Sequence, residues 1–181
     1  SETIKDIVEK LQARGGQEQL IMFLTGPAGS GKSTAVRVAE QFCYEFCLAV
    51  GIMLSDTTFL FTAYTGAAAS LIGGTTISRT AYLNQKRPLS DDDIKEWKDV
   101  QILVIGEVSF MGGSTLQMLN KKLTNVGQTN KSFGGFTIIF IGDFRQMEPV
   151  CSKETDLMFS TLSSMEWRQK INTIIILDND H

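Results

Sequence analysis

Histidine and cysteine, the residues that most often bind transition metals or form disulfide frameworks, are scarce in this sequence. Its 181 residues include a single histidine, the last residue, and three cysteines. Cys43 and Cys47 are four positions apart and Cys151 is distant, with no Cys-X-X-Cys pair and no histidine nearby. The pattern argues against a zinc site and a disulfide framework, and it predicts small buried thiols in a reducing compartment.

Positive charge is not in excess either. Lysine and arginine number 17 against 20 aspartates and glutamates, which gives a net charge of −3 and argues against a broadly basic DNA-coating surface, although a local cationic groove is compatible with it. No apolar run reaches the roughly 18 residues of a membrane span, and no charged-then-apolar leader is present. We therefore expect a soluble intracellular protein with no membrane partner, nuclear or mitochondrial if eukaryotic.

Prolines number only three, and 43% of the residues are hydrophobic, so one domain with one core is expected over residues 1–181. Apolar spacing indicates helices near residues 4–11 and 116–123 and at 33–49, with Val36, Phe42, Phe46 and Ala49 on or near one face. The polar stretch 86–98 predicts a surface loop leading into a short helix. Continuous apolar runs, typical of strands buried on both faces, occupy residues 20–24, 58–63, 101–105, 136–141 and 173–177. The predicted fold is α/β, with a mainly parallel, roughly five-stranded sheet covered by helices on both faces.

A complete phosphate-binding loop follows the first predicted strand and precedes a predicted helix. Glycines in such a loop let backbone amides curl around a phosphate, and the helix amino terminus adds partial positive charge. Lys32 is expected to reach the β- and γ-phosphates, and Ser33 to hold Mg²⁺ through its hydroxyl. The predicted nucleotide contacts are Gly26, Pro27, Ala28, Gly29, Ser30, Gly31, Lys32, Ser33 and Thr34. The loop predicts a P-loop NTPase, a class that includes kinases, GTPases and motor ATPases.

Three later segments narrow that class. Residues 62–69 (TAYTGAAA) follow the second predicted strand, residues 102–111 (ILVIGEVSFM) contain the third, and residues 141–150 (IGDFRQMEPV) end the fourth. In this order and spacing they resemble the superfamily-one DNA helicases of the Pif/RecD-like type, over nearly the whole chain. Their most specific part is the Gly-Asp-Phe-x-Gln-x-x-Pro-Val segment. The resemblance implies a RecA-like motor domain that uses ATP and Mg²⁺ and moves 5′ to 3′ on single-stranded DNA, in replication, repair or recombination.

The predicted catalytic residues are Lys32, Glu107 and Gln146. Glu107 lies just past a buried strand, a position suited to orienting an attacking water, with a capping or surface role as the alternative. The resemblance implies that Gln146 senses the γ-phosphate and couples it to DNA contacts. Because neighbouring parallel strands end at one edge of a sheet, all three side chains are expected around a single triphosphate.

The predicted DNA contacts are Thr65, Gly66 and Arg79. Thr65-Gly66 offers a hydroxyl and a close backbone approach at the end of a strand, which suits a DNA phosphate, and an ordinary small-residue turn is the alternative. Relatives often carry a histidine soon afterwards, in Thr-Ile-His-Ser, where this chain has Thr76-Ile77-Ser78-Arg79. Arg79 is therefore predicted to contact a phosphate as a charge-assisted donor.

Gly106 departs from the family pattern, which ends the third strand with Asp-Glu where this chain has Gly106-Glu107. The missing carboxylate would hold Mg²⁺, usually through coordinated water. We expect nucleotide binding to survive through the phosphate-binding loop, while Mg²⁺ affinity and hydrolysis fall. Asp143 is an alternative metal ligand.

The leading interpretation is the ATP-binding motor domain of an ATP-dependent DNA helicase, monomeric, and a fragment that lacks the second motor domain and its arginine fingers. Alone, such a fragment is expected to bind nucleotide weakly and to unwind nothing. One alternative is an ATP-gated DNA-binding module without hydrolysis, which Gly106 favours. Another is a small-molecule kinase, although no arginine-rich lid segment is visible.

Overall fold

The structure is a computed structural model that describes residues 19–49, 51, 53–143 and 171–177. Six strands form one parallel sheet in the order β3-β2-β4-β5-β1-β6. The strands are β1 (Ile21–Thr25), β2 (Phe59–Ala63), β3 (Thr75–Thr76), β4 (Ile102–Gly106), β5 (Thr137–Gly142) and β6 (Thr173–Ile176). The five strands expected from apolar runs are confirmed, and among the described residues the sequence missed the two-residue β3, which has no apolar run.

Five α-helices and two 3₁₀ turns connect these strands within the described residues. The helices are α1 (Lys32–Ala49), α2 (Gly66–Leu71), α3 (Ile77–Thr80), α4 (Asp91–Lys95) and α5 (Gly113–Gly127), and the turns are Val108–Phe110 and Ser132–Gly135. The short helix expected after the polar loop is α4, which begins with a reciprocal capping box between Ser90 and Asp93. None of the helices described is long and apolar enough to cross a membrane.

Apolar side chains cover both faces of the sheet, as continuous apolar strands require. On one face, Leu116, Leu119 and Leu123 of α5 are fully buried against β1, β4 and β5. On the other, Val36 and Ala39 of α1 pack against Met22, Leu24 and their neighbours. The expected layers, with helices on both faces, are confirmed.

The prediction of which residues form the apolar face of α1 was wrong in part. Val36 is buried, but Phe42 and Phe46 are 42% and 49% exposed and stack on each other with ring centroids 6.2 Å apart, and Ala49 is exposed. The face that packs on the sheet instead includes the small residues Ala35 and Ala39, because they let the helix backbone approach the strands. Cys43 and Cys47 are half-buried free thiols. The predicted helix near residues 4–11, together with Cys151 and His181, lies outside the described residues.

Candidate active site

The phosphate-binding loop connects β1 to α1 at the carboxyl edge of the sheet. Gly26, Gly29 and Gly31 have φ values of 152°, 78° and 78°, which favour glycine. At Gly26 a side chain is excluded as well, since a Cβ would lie 2.4 Å from the carbonyl oxygen of Leu177, just past β6. The amide of Ala35 donates to the Gly31 carbonyl at 2.8 Å, so regular helical bonding begins directly behind the loop. This part of the predicted loop–helix geometry is confirmed.

The ammonium group of Lys32 lies over its own loop. Its Nζ donates to the carbonyls of Gly26 and Pro27, each at 2.7 Å, and to Ser30 Oγ at 3.3 Å. Partial burial lowers the pKa of Lys32, and the nearby negative charge of Asp143 opposes that shift. The loop thus presents a cation, held by neutral carbonyl groups, that can exchange those acceptors for phosphate oxygens.

A cavity of about 230 Å³ opens beside this loop at the ends of β2, β4 and β5. Lys32 and Ser33 line it from the loop side, Glu107 from the end of β4 and Asp143 from the end of β5. A lysine, two serines and two carboxylate residues therefore meet in one small space, although they are up to 111 positions apart in the sequence. Two of the three predicted catalytic residues, Lys32 and Glu107, are brought together, whereas Gln146 lies outside the described residues.

Glu107 has a left-handed backbone, with φ 56° and ψ 38°, directly after β4. Such a conformation costs a non-glycine residue about 1 kcal/mol or more, so the surrounding structure must hold it in place. The carboxylate accepts a hydrogen bond at Oε2 from the Thr65 hydroxyl, 2.6 Å away. The β2 and β4 ends are also joined by a bond from the Tyr64 amide to the Gly106 carbonyl, at 3.0 Å.

Thr65 caps the amino terminus of α2, where its Oγ1 accepts from the Ala68 amide at 3.3 Å. Gly66 follows it, and a Cβ placed there would meet no atom within 4 Å, so its backbone borders open space. Two of the three predicted DNA contacts, Thr65 and Gly66, therefore lie at the carboxyl edge, next to Glu107. The Thr65–Glu107 bond was not anticipated, because it joins residues 42 positions apart.

Gly106 is the last residue of β4, and its conformation does not require glycine. A Cβ there would contact Ala63 Cβ at 3.6 Å, the Thr62 carbonyl at 3.7 Å and Ile72 Cδ1 at 4.0 Å, all ordinary van der Waals distances. Gly106 lines both the Glu107 cavity and an adjoining one of about 270 Å³, and Ser33 lines both as well. A Cβ at this position therefore fits without a clash, and glycine leaves a gap in the wall of the two cavities that Ser33 also lines.

Arg79 is not brought to the same cavity. It is exposed in α3, after β3, and lines a different cavity of about 430 Å³ together with Tyr82, Gln85 and Glu96. The predicted DNA contacts thus divide into Thr65-Gly66 beside the catalytic cavity and Arg79 at the sheet edge beyond β2.

Comparisons of the sequence and of the structure with known proteins all point to the same family. A family model described as PIF1-like helicase matches residues 1–180. The human ATP-dependent DNA helicase PIF1 is 32% identical over 157 residues, covering 82% of this chain and 23% of the human protein. The crystal structure of the Pif1 helicase from Candida albicans superposes with a TM-score of 0.71 at 26% identity, covering 98% of this chain and 39% of that one. A Bacteroides Pif1 helicase, crystallised with ADP-AlF3 and single-stranded DNA, superposes with a TM-score of 0.69 at 22% identity, over 96% and 41% of the two chains.

The chain spans a quarter or less of the length of the first curated relatives it matches, from 18% to 25%. Its parallel six-stranded sheet with helices on both faces is the RecA-like P-loop architecture of the solved Pif1 helicases.

Proposed function

This chain belongs to the PIF1-like helicase family, and from that premise we propose that residues 1–181 form one ATP-binding motor domain of an ATP-dependent 5′-to-3′ DNA helicase. The longer protein would couple ATP hydrolysis to movement on single-stranded DNA in replication, repair or recombination, in the nucleus or mitochondrion if it is eukaryotic. We propose further that the domain is monomeric and that a second motor domain of the same parent chain completes the ATP site.

One observation carries this proposal: Lys32, Ser33, Glu107 and Asp143 line a single cavity beside the phosphate-binding loop. Ligands of open parallel sheets bind outside the carboxyl ends of the strands, and this cavity occupies that position. A triphosphate seated on the loop amides would direct its γ-phosphate toward Glu107. The nucleotide contacts proposed for the loop are Gly26, Pro27, Ala28, Gly29, Ser30, Gly31, Lys32, Ser33 and Thr34.

Each proposed role follows from the chemistry of the side chain. Lys32 stabilises negative charge on the β- and γ-phosphates after giving up its carbonyl partners. Glu107 accepts a hydrogen bond from the attacking water and so orients it. Gln146 is the proposed sensor of the γ-phosphate. Arginine fingers supplied by the second motor domain would stabilise the charge of the transition state.

The donor set of the cavity fits Mg²⁺, because hydroxyl and carboxylate oxygens are the ligands that this ion prefers. Ser33 would hold the ion together with nucleotide phosphates and water, and Asp143 lines the same cavity. Among the described residues no group of three or more His, Cys, Asp and Glu could hold a metal alone. The bound ion would neutralise phosphate charge, and the gap at Gly106 implies that this chain holds it weakly.

Single-stranded DNA is the proposed partner at Thr65 and Gly66, with Arg79 as a more distant phosphate contact. The Thr65 hydroxyl and the open Gly66 backbone are the kind of groups that position a nucleic-acid backbone without reading its sequence. The net charge of −3 predicts that such binding is local and weak for the isolated chain.

An ATP-gated DNA-binding module without hydrolysis is the second candidate, and Gly106 specifically favours it. ATP turnover by the longer protein, measured with and without single-stranded DNA, separates the two candidates. DNA-stimulated turnover would support the motor, and DNA binding that depends on ATP without turnover would support the module.

Nucleotide binding by this chain tests the site directly. Titration with a fluorescent ADP analogue should show binding that Lys32→Ala weakens about 10- to 100-fold, since it removes a charge-assisted phosphate contact. Lys121→Ala is the matched control, because it removes the same charge from an exposed position on α5. Equal affinities for the two variants would refute the proposed site.

A further inference from the structure

The Thr65–Glu107 hydrogen bond connects two roles that the proposed function keeps separate. Thr65 is a proposed DNA contact, and Glu107 is the proposed water-orienting carboxylate. Their side chains are joined by a hydrogen bond of 2.6 Å from Thr65 Oγ1 to Glu107 Oε2. From this geometry we infer that Thr65 is a positioning residue for Glu107, and that its hydroxyl is bonded either to Glu107 or to a DNA phosphate, but not to both. The inference rests on the proposed function.

The exclusivity follows from the number of protons. A threonine hydroxyl has a single hydrogen to donate. At Thr65 that hydrogen is directed to Glu107, while the oxygen also accepts from the Ala68 amide as the cap of α2. The cap keeps the oxygen in place whichever acceptor is engaged, so only the direction of the O–H bond changes. A phosphate oxygen arriving at α2 therefore competes with Glu107 Oε2 for one donor.

The same step changes what Glu107 can do. While Thr65 donates to Glu107, the hydrogen bond holds the glutamate side chain at the end of β2. The carboxylate then cannot rotate freely in the cavity. When the hydroxyl turns to a phosphate, the Glu107 side chain is no longer held at Thr65, and its carboxylate can turn toward a water in the cavity that Lys32 and Ser33 also line. DNA binding would then release the carboxylate for catalysis, and without DNA the carboxylate would stay engaged.

The backbone at both ends favours this arrangement. Glu107 is held in a left-handed conformation, and the Tyr64 amide bonded to the Gly106 carbonyl at 3.0 Å keeps the two strand ends in register. Because neither backbone needs to move, the exchange is a local rearrangement of one hydroxyl and one carboxylate. Thermodynamic linkage makes the effect reciprocal: whatever removes the Glu107 acceptor must also change the affinity of the chain for DNA.

DNA affinity of the 181-residue chain therefore tests the inference without requiring hydrolysis. The probe is a fluorescent oligothymidine, followed by fluorescence anisotropy at one fixed salt concentration, since phosphate contacts depend on salt. Glu107→Ala removes the competing acceptor and should tighten binding about tenfold, the value of roughly one hydrogen bond. Glu107→Gln removes the charge but keeps an acceptor oxygen, and it should tighten binding only about two- to threefold, as loss of a screened like charge does.

A double-mutant cycle with Thr65→Val isolates the hydrogen bond from the charge. In the Thr65→Val background, Glu107→Ala and Glu107→Gln should both tighten binding only about two- to threefold, since no hydroxyl is left to release. Thr65→Ser keeps the hydroxyl and the cap, and it should restore the larger effect of Glu107→Ala. A purely structural role of Thr65 would lower stability without producing this dependence on Glu107.

The outcomes separate the two proposals. If the unsubstituted chain binds the oligothymidine and Glu107→Ala has the same effect as Glu107→Gln, or the same effect with and without the Thr65 hydroxyl, the coupling is wrong while DNA binding stands. If the unsubstituted chain binds no oligothymidine, the proposed DNA site and the coupling are both overturned. If Thr65→Val does not fold, the contrast between Glu107→Ala and Glu107→Gln still decides the question.

Discussion

Restoring a carboxylate at Gly106 is the perturbation that the structure defines most sharply. The backbone of Gly106 is ordinary β-strand, and a Cβ there would keep 3.6 Å to Ala63 Cβ and 3.7 Å to the Thr62 carbonyl. Gly106→Asp should therefore fold without steric conflict. Gly106 and Ser33 both line the two adjoining cavities, so the new carboxylate would lie in the space near Ser33. That is the space in which we propose Mg²⁺ to bind with the nucleotide.

The effect of Gly106→Asp on the free energy of unfolding has two parts of opposite sign. Without metal, a new carboxylate beside Glu107 and Asp143 adds like charge to a confined space and should cost about 1–3 kcal/mol of stability. For a chain of this length, each 1 kcal/mol lowers Tm by roughly 2–4 °C. With Mg²⁺ and nucleotide, a recovered carboxylate should raise metal affinity about 10- to 100-fold, which returns about 1.4–2.7 kcal/mol to the folded state at saturation.

Thermal unfolding in four conditions, with and without Mg²⁺ and with and without ADP, checks this directly. Gly106→Asp should melt below the unsubstituted chain without metal, and Mg²⁺ with ADP should raise its Tm by several degrees more than it raises the Tm of the unsubstituted chain. Gly106→Asn is the matched control, since it has the same shape without the charge and should show no extra response to Mg²⁺. If the aspartate and asparagine variants respond equally to Mg²⁺, the reasoning about the missing ligand is refuted. In the longer helicase that we propose, Gly106→Asp should also raise ATP turnover, and an unchanged rate would count against the missing-ligand reasoning.

Two further predictions concern the phosphate-binding loop and Tyr82, which belongs to the apolar cluster on the α5 face of the sheet. Gly26→Ala should abolish nucleotide binding and lower the free energy of urea unfolding by about 2–4 kcal/mol, because its Cβ would lie 2.4 Å from the Leu177 carbonyl oxygen. Gly29→Ala is the control: its Cβ would meet open space, and the strained φ alone should cost about 1 kcal/mol. Equal losses of stability in the two variants would contradict the clash at Gly26. Burial, together with the 2.5 Å hydrogen bond to Glu96, raises the pKa of Tyr82 to about 12. A raised tyrosine pKa favours the neutral form in the folded state, so the stability of the chain should fall as pH rises from about 10 to 12. In urea unfolding, the Tyr82→Phe variant should lose less stability over that pH range. An identical pH dependence in both proteins would show that Tyr82 does not cause the loss.

The strands and the phosphate-binding loop could be predicted from the sequence because their signals are local. Runs such as residues 102–105 are apolar at every position, which is typical of a strand covered on both faces. The loop requires glycine at positions with particular φ values, and Gly26, Gly29 and Gly31 provide them. Helix faces were less predictable, since Phe42 and Phe46 have the apolarity of core residues yet are half exposed on α1. Apolarity indicates that a side chain can be buried, but the neighbouring elements determine whether it is.

By itself, then, the sequence determined the parallel α/β architecture and the phosphate-binding loop, and it supplied the candidate residues for the chemistry of the site. Only the tertiary structure decided which of them meet: Lys32 and Glu107 share a cavity, Arg79 faces a different one, and the Thr65 hydroxyl lies on the Glu107 carboxylate. The physical reason is that strand order and register, set by long-range pairing such as β2 with β4, place residues 42 positions apart within one hydrogen bond. No local pattern of residues carries that information, because the pairing energy is spread over whole strands rather than over the residues that finally touch.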